Sequence, residues 1–409
     1  MSLAKVRQWP LSYIPYFSRM KNSGMGDEGG TEDNVTSTAI PVRSRRRLWI
    51  LRLSTSVIGM MSLFLFLEII LRFFPVRESF HALPVTSSHP IIRFAPNREY
   101  VFSRDWNFTI VTGKKTNGAG FFSDVEYVKD SDKPLVAIIG DSYVEALQVR
   151  NADTFHGRIG RDNFEKVRVY AFGASGNPLS SYLKYAEWVG QQYKPDYFIF
   201  NIVGNDFDES YPYYKDGAEG FTYFPEETDQ FDMADLDTRF LPLRPSFVGR
   251  NLRRSYLAKY LVSNCEILRI TANLRTTAKA DTSNGNIGEE RIQTGSAAIN
   301  HFIRLLPEAT GLPPERILLV LDAARQRIYA SESNVLSQSY YECMMPELIG
   351  KAALAQISTL DMTTPFTLHY RQHKKRFEYP TDGHWNEIGH RVVAESIMNT
   401  DFWSTVIGE

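Results

Sequence analysis

The chain has 409 residues, enough for one large domain or two small ones together with terminal tails. Its hydrophobic fraction of 43% and its charged fraction of 23% are ordinary for a protein with a buried core. Lys and Arg number 46 against 47 Asp and Glu, so the net charge gives no case for a nucleic-acid-binding protein.

Two segments precede the first globular region. Residues 1–47 are rich in Gly, Ser, Thr, Asn and Asp and predict a disordered tail that ends in a cluster of arginines. Residues 48–74 predict a transmembrane anchor, since the run from Leu53 to Leu71 is almost wholly apolar and about long enough to cross ~30 Å of hydrocarbon as a helix. One acidic residue, Glu68, lies near the end of this run, where it can reach the headgroup layer. The arginines before the run predict a cytoplasmic N-terminus and an extracytoplasmic C-terminal region.

Two other interpretations of this apolar run are open. It could be a cleaved signal peptide, although the run and the region before it are long and no Ala-x-Ala-like site follows. It could also be a buried core helix, although it is apolar all round rather than on one face. We therefore expect a single uncleaved transmembrane anchor.

The next region, residues 75–134, predicts a small β-rich segment because aromatic and apolar residues alternate with polar ones from Arg98 to Val111. From Leu135 onward the pattern is a repeat of strands and helices. Strands are predicted at 135–139, 167–171, 197–203 and 316–321, and helices at 178–192, 292–306 and 386–398. Such alternation predicts a parallel sheet with helices on both faces.

The repeat is interrupted at about residues 207–290. The first part of this insertion is rich in Tyr, Phe, Pro and Asp, and residues 276–288 predict an exposed polar linker. A long insertion of this kind is often functional, so it predicts a lid or a substrate wall, with a purely structural excursion as the alternative.

The two cysteines, Cys265 and Cys343, lack the spacing of a metal site. They could pair outside the cytoplasm, or they could be two buried thiols. The histidines are scattered and no H-E-x-x-H motif occurs, so we expect no metal.

The most informative motif is Gly140-Asp141-Ser142, which ends the first buried strand and opens a predicted helix over 143–147. This geometry exposes a serine hydroxyl at the carboxyl edge of a parallel sheet, where α/β folds place their sites. The backbone N–H groups at a helix start favour developing negative charge.

Three later loops supply groups that a nucleophilic serine requires. Gly176 and Asn205 each follow a predicted strand and could donate hydrogen bonds to an oxyanion. Asp382 and His384 precede the last helix, whose predicted N-cap is Asn386, and could act as orienting carboxylate and base. Taken singly, each loop is also explained as a turn, a helix cap or a polar loop.

In their order along the chain, these four blocks resemble the SGNH hydrolases, a branch of the GDSL esterases. That family has a Gly-Asp-Ser nucleophile block, a glycine, an asparagine in Gly-x-Asn-Asp and a late Asp/His pair. The resemblance covers about residue 135 to the C-terminal end. It favours an α/β fold, a flavodoxin-like three-layer α/β/α sandwich with a parallel sheet, over residues 135–409 and after one transmembrane helix.

The resemblance implies a role for each matching residue. Ser142 would be the nucleophile, His384 the base and Asp382 the carboxylate that orients the base. The Ser142 N–H, the Gly176 N–H and the Asn205 side chain would hold the oxyanion. No cofactor is implied.

The sequence departs from the family pattern at two places. The usual late block is Asp-x-x-His, but Thr381 stands three places before His384, so the carboxylate comes from Asp382. This spacing looks like that of a membrane-associated branch related to polysaccharide O-acetyltransferases, as does the segment Leu321–Tyr329, to which we assign no catalytic role. Val203 also replaces the first glycine of Gly-x-Asn-Asp.

Three functions fit a chain with these features to different degrees. The resemblance favours a membrane-anchored serine esterase or acylhydrolase acting on O-acyl esters of a small molecule or of extracytoplasmic glycans, or an O-acetyltransferase to polysaccharide. A non-catalytic surface protein that binds a glycan or a partner is the alternative from another class. A flavodoxin-like nucleotide binder is disfavoured because no phosphate-loop motif follows the first strand.

Overall fold

The structure is a computed structural model that describes residues 45–80, 82–226, 230–242, 254–267, 288–330 and 338–408. Its contacts divide the chain into two compact units, Met1–Ile58 and Gly59–Glu409. The predicted tail lies outside the described residues except at positions 45–47, which are helical and so correct that boundary. Most of the predicted linker, residues 276–287, also lies outside them.

The described secondary structure is as follows. The strands are β1 (Glu99–Arg104), β2 (Ile110–Lys115), β3 (Leu135–Gly140), β4 (Arg168–Gly173), β5 (Tyr197–Ile202), β6 (Thr222–Tyr223), β7 (Asp237–Thr238), β8 (Ile317–Leu321), β9 (Ser358–Asp361), β10 (Glu378–Tyr379) and β11 (Asp382–Trp385). The α-helices are α1 (Arg45–Ile70), α2 (Ser142–Glu145), α3 (Phe155–Asp162), α4 (Leu179–Tyr193), α5 (Tyr256–Lys259), α6 (Glu289–Thr310), α7 (Arg325–Tyr329), α8 (Tyr340–Leu354), α9 (Thr363–His373), α10 (Glu387–Met398) and α11 (Asp401–Ile407). A π-helix, Tyr260–Asn264, continues α5, and short 3₁₀ helices occur at Leu71–Phe73, Asn151–Asp153, Asp208–Ser210, Pro212–Lys215, Met233–Asp235 and Pro314–Arg316.

The central sheet has five parallel strands in the order β4-β3-β5-β8-β9. This is the flavodoxin-like order 2-1-3-4-5 when the strands are renumbered within the sheet. Helices cover both faces, so the predicted α/β sandwich with a parallel sheet is confirmed.

The two faces of the sheet build two separate hydrophobic cores. Strand β3 is buried throughout, and alternate residues point to opposite sides because the side-chain period of a strand is two. Ala137 and Ile139 join the core beneath α4, α6 and α8, whereas Val136 and Ile138 join the core beneath α3, α10 and α11. The strand that leads to Ser142 is therefore packed on both faces.

A β-hairpin lies in the β-rich segment before the sheet. Strands β1 and β2 pair antiparallel, with Arg104 opposite Ile110 next to the turn. The hairpin contributes to a third apolar cluster, which also contains Leu147 from the chain just after α2. The hairpin thus packs next to the segment that follows Ser142.

The first described helix is the candidate membrane anchor. The segment Arg45–Phe73, α1 with the 3₁₀ turn after it, is long and apolar enough to cross a membrane. No residue of α1 is buried. By length and composition alone, a signal sequence would satisfy the same criterion.

Candidate active site

The predicted nucleophile lies at the start of a very short helix. Asp141 is the N-cap of α2, and its Oδ1 accepts a hydrogen bond from the Tyr143 N–H at 2.9 Å. The helix has one turn and ends at Glu145, and its C-cap Ala146 has a left-handed φ of 48°, so the predicted helix over 143–147 is shorter than expected. Ser142 is therefore the first residue of a helix, at the carboxyl end of β3.

Ser142 lies beside His384 and Asp382. The Ser142 Oγ is 2.8 Å from the His384 Nε2, and the His384 Nδ1 forms a short hydrogen bond with Asp382 Oδ1. If Nδ1 carries the ring proton and donates it to Asp382, Nε2 is free to accept the serine proton. Asp141 Oδ2 is also within reach of the hydroxyl, at 3.1 Å, so the single hydroxyl proton has two acceptors.

The Asp382 carboxylate is held by residues far away in sequence. Its Oδ2 accepts from the Arg104 Nη1 at 2.7 Å and from the Gln148 Nε2 at 3.0 Å, and only 1% of its side chain is exposed. Burial raises the pKa of Asp382, but the hydrogen bonds and charge of His384, together with the charge of Arg104, outweigh burial and hold this pKa below its ordinary value. The carboxylate is therefore ionised at neutral pH.

The strand that carries His384 is fixed by Arg325. The Arg325 Nη2 donates to the backbone oxygen of Gly383 at 2.8 Å and to the Tyr143 hydroxyl at 2.7 Å. Arg325 also pairs with Asp322, which follows β8. These bonds connect the loops after β3 and β8 to the base and limit movement of the imidazole relative to the hydroxyl.

Gly176, the second predicted oxyanion donor, lies in the loop after β4. Its φ of 83° lies in the left-handed region, which favours glycine. The preceding residue, Ser175, donates through both its N–H and its hydroxyl to the buried carboxylate of Glu145, the last residue of α2. Glu145 therefore ties the glycine loop to the helix that begins with Ser142.

Asn205, the third predicted donor, follows β5, and an ion pair lies between it and the loop that carries Gly176. Its Nδ2 lies 3.3 Å from the Glu209 Oε2, and Glu209 forms a close salt bridge with Lys215. A Cβ atom at Gly176 would lie 3.2 Å from the Lys215 Nζ. Lys215 and Glu209, both from the insertion, therefore lie between the two predicted donors.

Parallel strands explain why these loops meet. Strands β4 and β5 flank β3, and the loops after all three leave the same edge of the sheet. A Cβ atom at Gly173 would lie 2.6 Å from the Glu145 backbone N, so glycine permits the close approach of two of these loops. The structure thus brings the Ser142, Gly176 and Asn205 segments to one edge.

Several other sequence predictions can be compared with the structure. Asn386 caps α10, since its side chain accepts from the N–H groups of Ile388 and Gly389. His390, in the same helix, is buried, and its ring packs on Phe155. Both cysteines are free thiols. Asp382 and His384 lie on strand β11 rather than on an irregular loop, which corrects that detail.

The sequence did not identify four residues that contact the predicted site: Arg104, Gln148, Lys215 and Glu209. Each makes its contact through tertiary structure, and no motif marks it in the sequence.

Within the described part of the chain, no group of three or more His, Cys, Asp or Glu side chains could hold a metal ion.

No family model and no curated protein matches the sequence. Among solved structures, the chain is similar to a two-domain esterase active on acetylated mannans, over 68% of this chain and 50% of that one, with 11% identity and a TM-score of 0.35. The chain thus spans half the length of that esterase. It is also similar to a lipolytic protein of the G-D-S-L family from Veillonella parvula DSM 2008 (65% and 97% covered, 11% identity, TM-score 0.33).

A third similar structure is the acetyl xylan esterase AlAXEase, aligned over 66% of this chain and 99% of that one, with 13% identity and a TM-score of 0.34. At such identities the likeness concerns the fold alone. The narrower resemblance to a membrane-anchored branch related to polysaccharide O-acetyltransferases stays a prediction.

Proposed function

We propose that the protein is an SGNH-type serine esterase, anchored in a membrane by α1, that hydrolyses O-acyl esters of extracytoplasmic glycans. One observation carries the proposal. The Ser142 hydroxyl lies 2.8 Å from a His384 imidazole whose other nitrogen is bonded to the buried Asp382 carboxylate. A hydroxyl, a base and an orienting carboxylate in this order are the groups that acyl transfer through serine requires.

The reaction would proceed in two halves. As the Ser142 Oγ attacks the ester carbonyl, His384 Nε2 takes the hydroxyl proton and then gives it to the leaving alkoxide, which departs as an alcohol. Water next attacks the acyl-serine, again with His384 as base, and its proton returns to the Ser142 oxygen as the carboxylic acid leaves. Asp382 stays ionised and stabilises the imidazolium.

The carbonyl oxygen becomes an oxyanion in each half. We assign its stabilisation to the N–H groups of Ser142 and Gly176 and to the Asn205 side-chain amide. An amide carries two N–H groups, so Asn205 can donate one to Glu209 and keep the other for the oxyanion. Losing one such donor typically costs about 10²–10³ in rate.

The insertion supports a glycan as the acyl carrier. The 3₁₀ helix Pro212–Lys215 carries Tyr213 and Tyr214, whose ring centroids are 5.2 Å apart, directly before the lysine that lies near Gly176. The Tyr213 side chain is 76% exposed. An exposed tyrosine ring offers a flat amphipathic surface for a sugar ring.

The direct test compares wild type with Ser142→Ala, assayed with p-nitrophenyl acetate and labelled with a fluorophosphonate probe. We expect labelling at Ser142 and a loss of activity of about 10³-fold or more in the variant. Ser131→Ala, at an exposed position outside the site, is the matched control and should keep full activity.

The same assay distinguishes the alternatives. Absence of both turnover and labelling in folded wild type would contradict the proposal and favour a non-catalytic binding protein. Faster nitrophenol release when an oligosaccharide acceptor is added, with the acetyl group recovered on the sugar, would instead identify an O-acetyltransferase.

A further inference from the structure

The end of the apolar helix is bonded to the insertion. Glu68 accepts hydrogen bonds from the Ser255 hydroxyl at 2.8 Å and from the N–H groups of Tyr256 and Leu257, both at 3.0 Å. It therefore caps the N-terminus of α5, where a carboxylate is favourable. This contact within the protein fixes the insertion to the helix end.

The hairpin of β1 and β2 joins the same place. Phe74, just beyond the apolar helix, stacks on Phe108 in the hairpin turn with centroids 5.7 Å apart, and Phe108 contacts the ring of Tyr260 at 5.6 Å. The Tyr260 hydroxyl donates to the backbone oxygen of Trp106 at 2.7 Å. The end of the apolar helix, the hairpin turn and the insertion therefore contact one another and form one connected unit.

This unit exposes large apolar side chains on all three of its segments. The exposed fractions are 81% for Phe73, 71% for Trp106 and 47% for Val262. We call these three residues the junction surface. Tryptophan is rarely left so exposed in water, and large exposed apolar residues that share one region mark an interaction site.

Cationic side chains accompany the junction surface. The Lys259 Nζ lies 3.8 Å from the centroid of the Tyr256 ring, and the Arg72 guanidinium lies 5.8 Å from it. Aromatic residues flanked by Lys and Arg are typical of protein segments at the boundary between hydrocarbon and headgroups.

We propose that the junction surface lies in the headgroup layer of the bilayer that α1 enters, where the Trp106 side chain contacts lipid. The inference rests on the proposed anchoring by α1. Continuity with the helix argues for lipid rather than for another protein. Phe73 is the last residue of the apolar segment and is followed directly by Phe74, which stacks on the hairpin.

The proposal links the membrane to the active site by a short path. Trp106 lies two positions after Arg104, whose guanidinium binds the Asp382 carboxylate. Lipid contact would therefore hold the β1–β2 hairpin, together with the catalytic domain that it touches, at a fixed height above the membrane.

The test uses the full chain reconstituted in phosphatidylcholine–phosphatidylglycerol vesicles with dibrominated acyl chains, which quench tryptophan on contact. The signal of Trp106 is obtained as the difference between wild type and Trp106→Phe. We expect at least twofold quenching of this difference, stronger for bromine near the headgroup than for bromine deep in the chain. Esterase activity of Trp106→Phe verifies that the variant is folded.

Two further variants separate the possible failures. Trp49 lies inside α1, so the difference for Trp49→Phe reports whether the helix is inserted. Quenching at Trp49 without quenching at Trp106 overturns the proposal and leaves the anchor intact, whereas no quenching at either position contradicts the anchor as well. The double variant Trp106→Phe/Phe164→Trp moves the tryptophan to position 164, which lies outside the junction surface and is 63% exposed. No quenching of this tryptophan is expected.

An occupant other than lipid gives a distinct result. If a second copy of the chain covers Trp106, its emission is blue-shifted but insensitive to brominated lipid, and cross-linked dimers form at low protein-to-lipid ratio. That outcome also overturns the proposal.

Discussion

The two sides of the Ser142 hydroxyl are held in different ways. On the side of the base, Asp382 is almost fully buried and binds Arg104 and Gln148 as well as His384. On the side of the predicted oxyanion donors, Asn205 is half-buried and its amide is bonded to an ion pair from the insertion.

The difference concerns how firmly each part of the site is held in place. The base side joins strand β11, the β1–β2 hairpin and the segment after α2 through bonds to one buried carboxylate. The oxyanion side depends on Glu209 and Lys215, whose side chains are 26% and 14% exposed and belong to a segment outside the strand–helix repeat. We infer that changes on the base side affect the rate more than changes in the ion pair.

The largest effect is expected at Asp382. In Asp382→Asn the amide N–H₂ faces the His384 ring, favours the wrong tautomer and cannot stabilise the imidazolium. We expect kcat to fall about 10⁴-fold. Steady-state kinetics with p-nitrophenyl acetate measure this loss, with the exposed Asp162→Asn as control. A loss of less than 100-fold would show that Asp382 is not the orienting carboxylate.

Arg104 should have the next largest effect. Arg104→Met removes one of the two bonds to Asp382 Oδ2, and we expect kcat/KM to fall about 10–10²-fold, with a smaller loss for Arg104→Lys. The Arg104 charge lowers the pKa of Asp382, so in the variant this pKa rises toward its ordinary value. Protonation of Asp382 then begins at higher pH, and the deficit grows as the pH falls.

A pH–rate profile from pH 3 to pH 8, which includes the ordinary titration range of a carboxyl group, distinguishes this role from a merely structural one. Arg98→Met, at an exposed position at the start of the same hairpin, should match wild type throughout. A deficit in Arg104→Met that is constant with pH would contradict the electrostatic role.

A smaller effect is expected at Lys215. Lys215→Ala leaves the Glu209 carboxylate unpaired beside Asn205, where its charge opposes the developing oxyanion. We expect kcat to fall about tenfold with little change in KM. Adding Glu209→Gln removes the charge and should restore most of the rate. If the double variant is as slow as Lys215→Ala, the ion pair does not act through charge. The control is Lys184→Ala, which removes the lysine of a separate ion pair with Glu187.

The smallest effect on turnover is expected at Lys114, whose bonds lie on either side of Gln148, a residue that binds Asp382. Its Nζ donates to the backbone oxygens of Ala146 and Val149, both at 3.0 Å, and burial lowers the pKa of Lys114 to about 7. Between this value and the ordinary one of about 10.4, the unfolded chain binds more protons than the folded chain. Lys114 therefore makes the free energy of unfolding rise with pH over that range.

Denaturant unfolding at pH 6.5 and pH 9.5 tests this prediction. We expect the pH-dependent gain in wild type to exceed that in Lys114→Met by roughly 3 kcal/mol. The exposed neighbour Lys115→Met should keep the wild-type dependence. Equal slopes in wild type and Lys114→Met would show that the buried ammonium is stabilised as well as it is in water.

The sequence predicts the sheet well where strands are buried on both faces. Strands β3, β5 and β8 are continuous apolar runs, and the observed strands lie within one or two residues of the predicted ones. The edge strand β9 was not assigned because Ser358–Asp361 has no fully buried residue and no apolar run. Helix α8 was also missed, and it contains Pro346, which weakens a helical pattern.

The site divides in the same way. The positions of Ser142, Gly176 and Asn205 could be placed on one edge because each follows a parallel strand. The bond from Arg104 to Asp382 joins residues 278 positions apart, and no local pattern marks it. The Glu209–Lys215 pair lies in the irregular insertion, where the sequence offers only composition.

The order of the catalytic residues along the chain has a consequence for the folding of the chain during synthesis. Arg104 and Ser142 leave the ribosome well before Asp382 and His384, and the contacts between the two groups have very large sequence separation. A nascent chain can form the hairpin and the first strands while its serine still lacks a proton acceptor. Hydrolytic competence would therefore begin only once β11, the last strand of the chain, has docked.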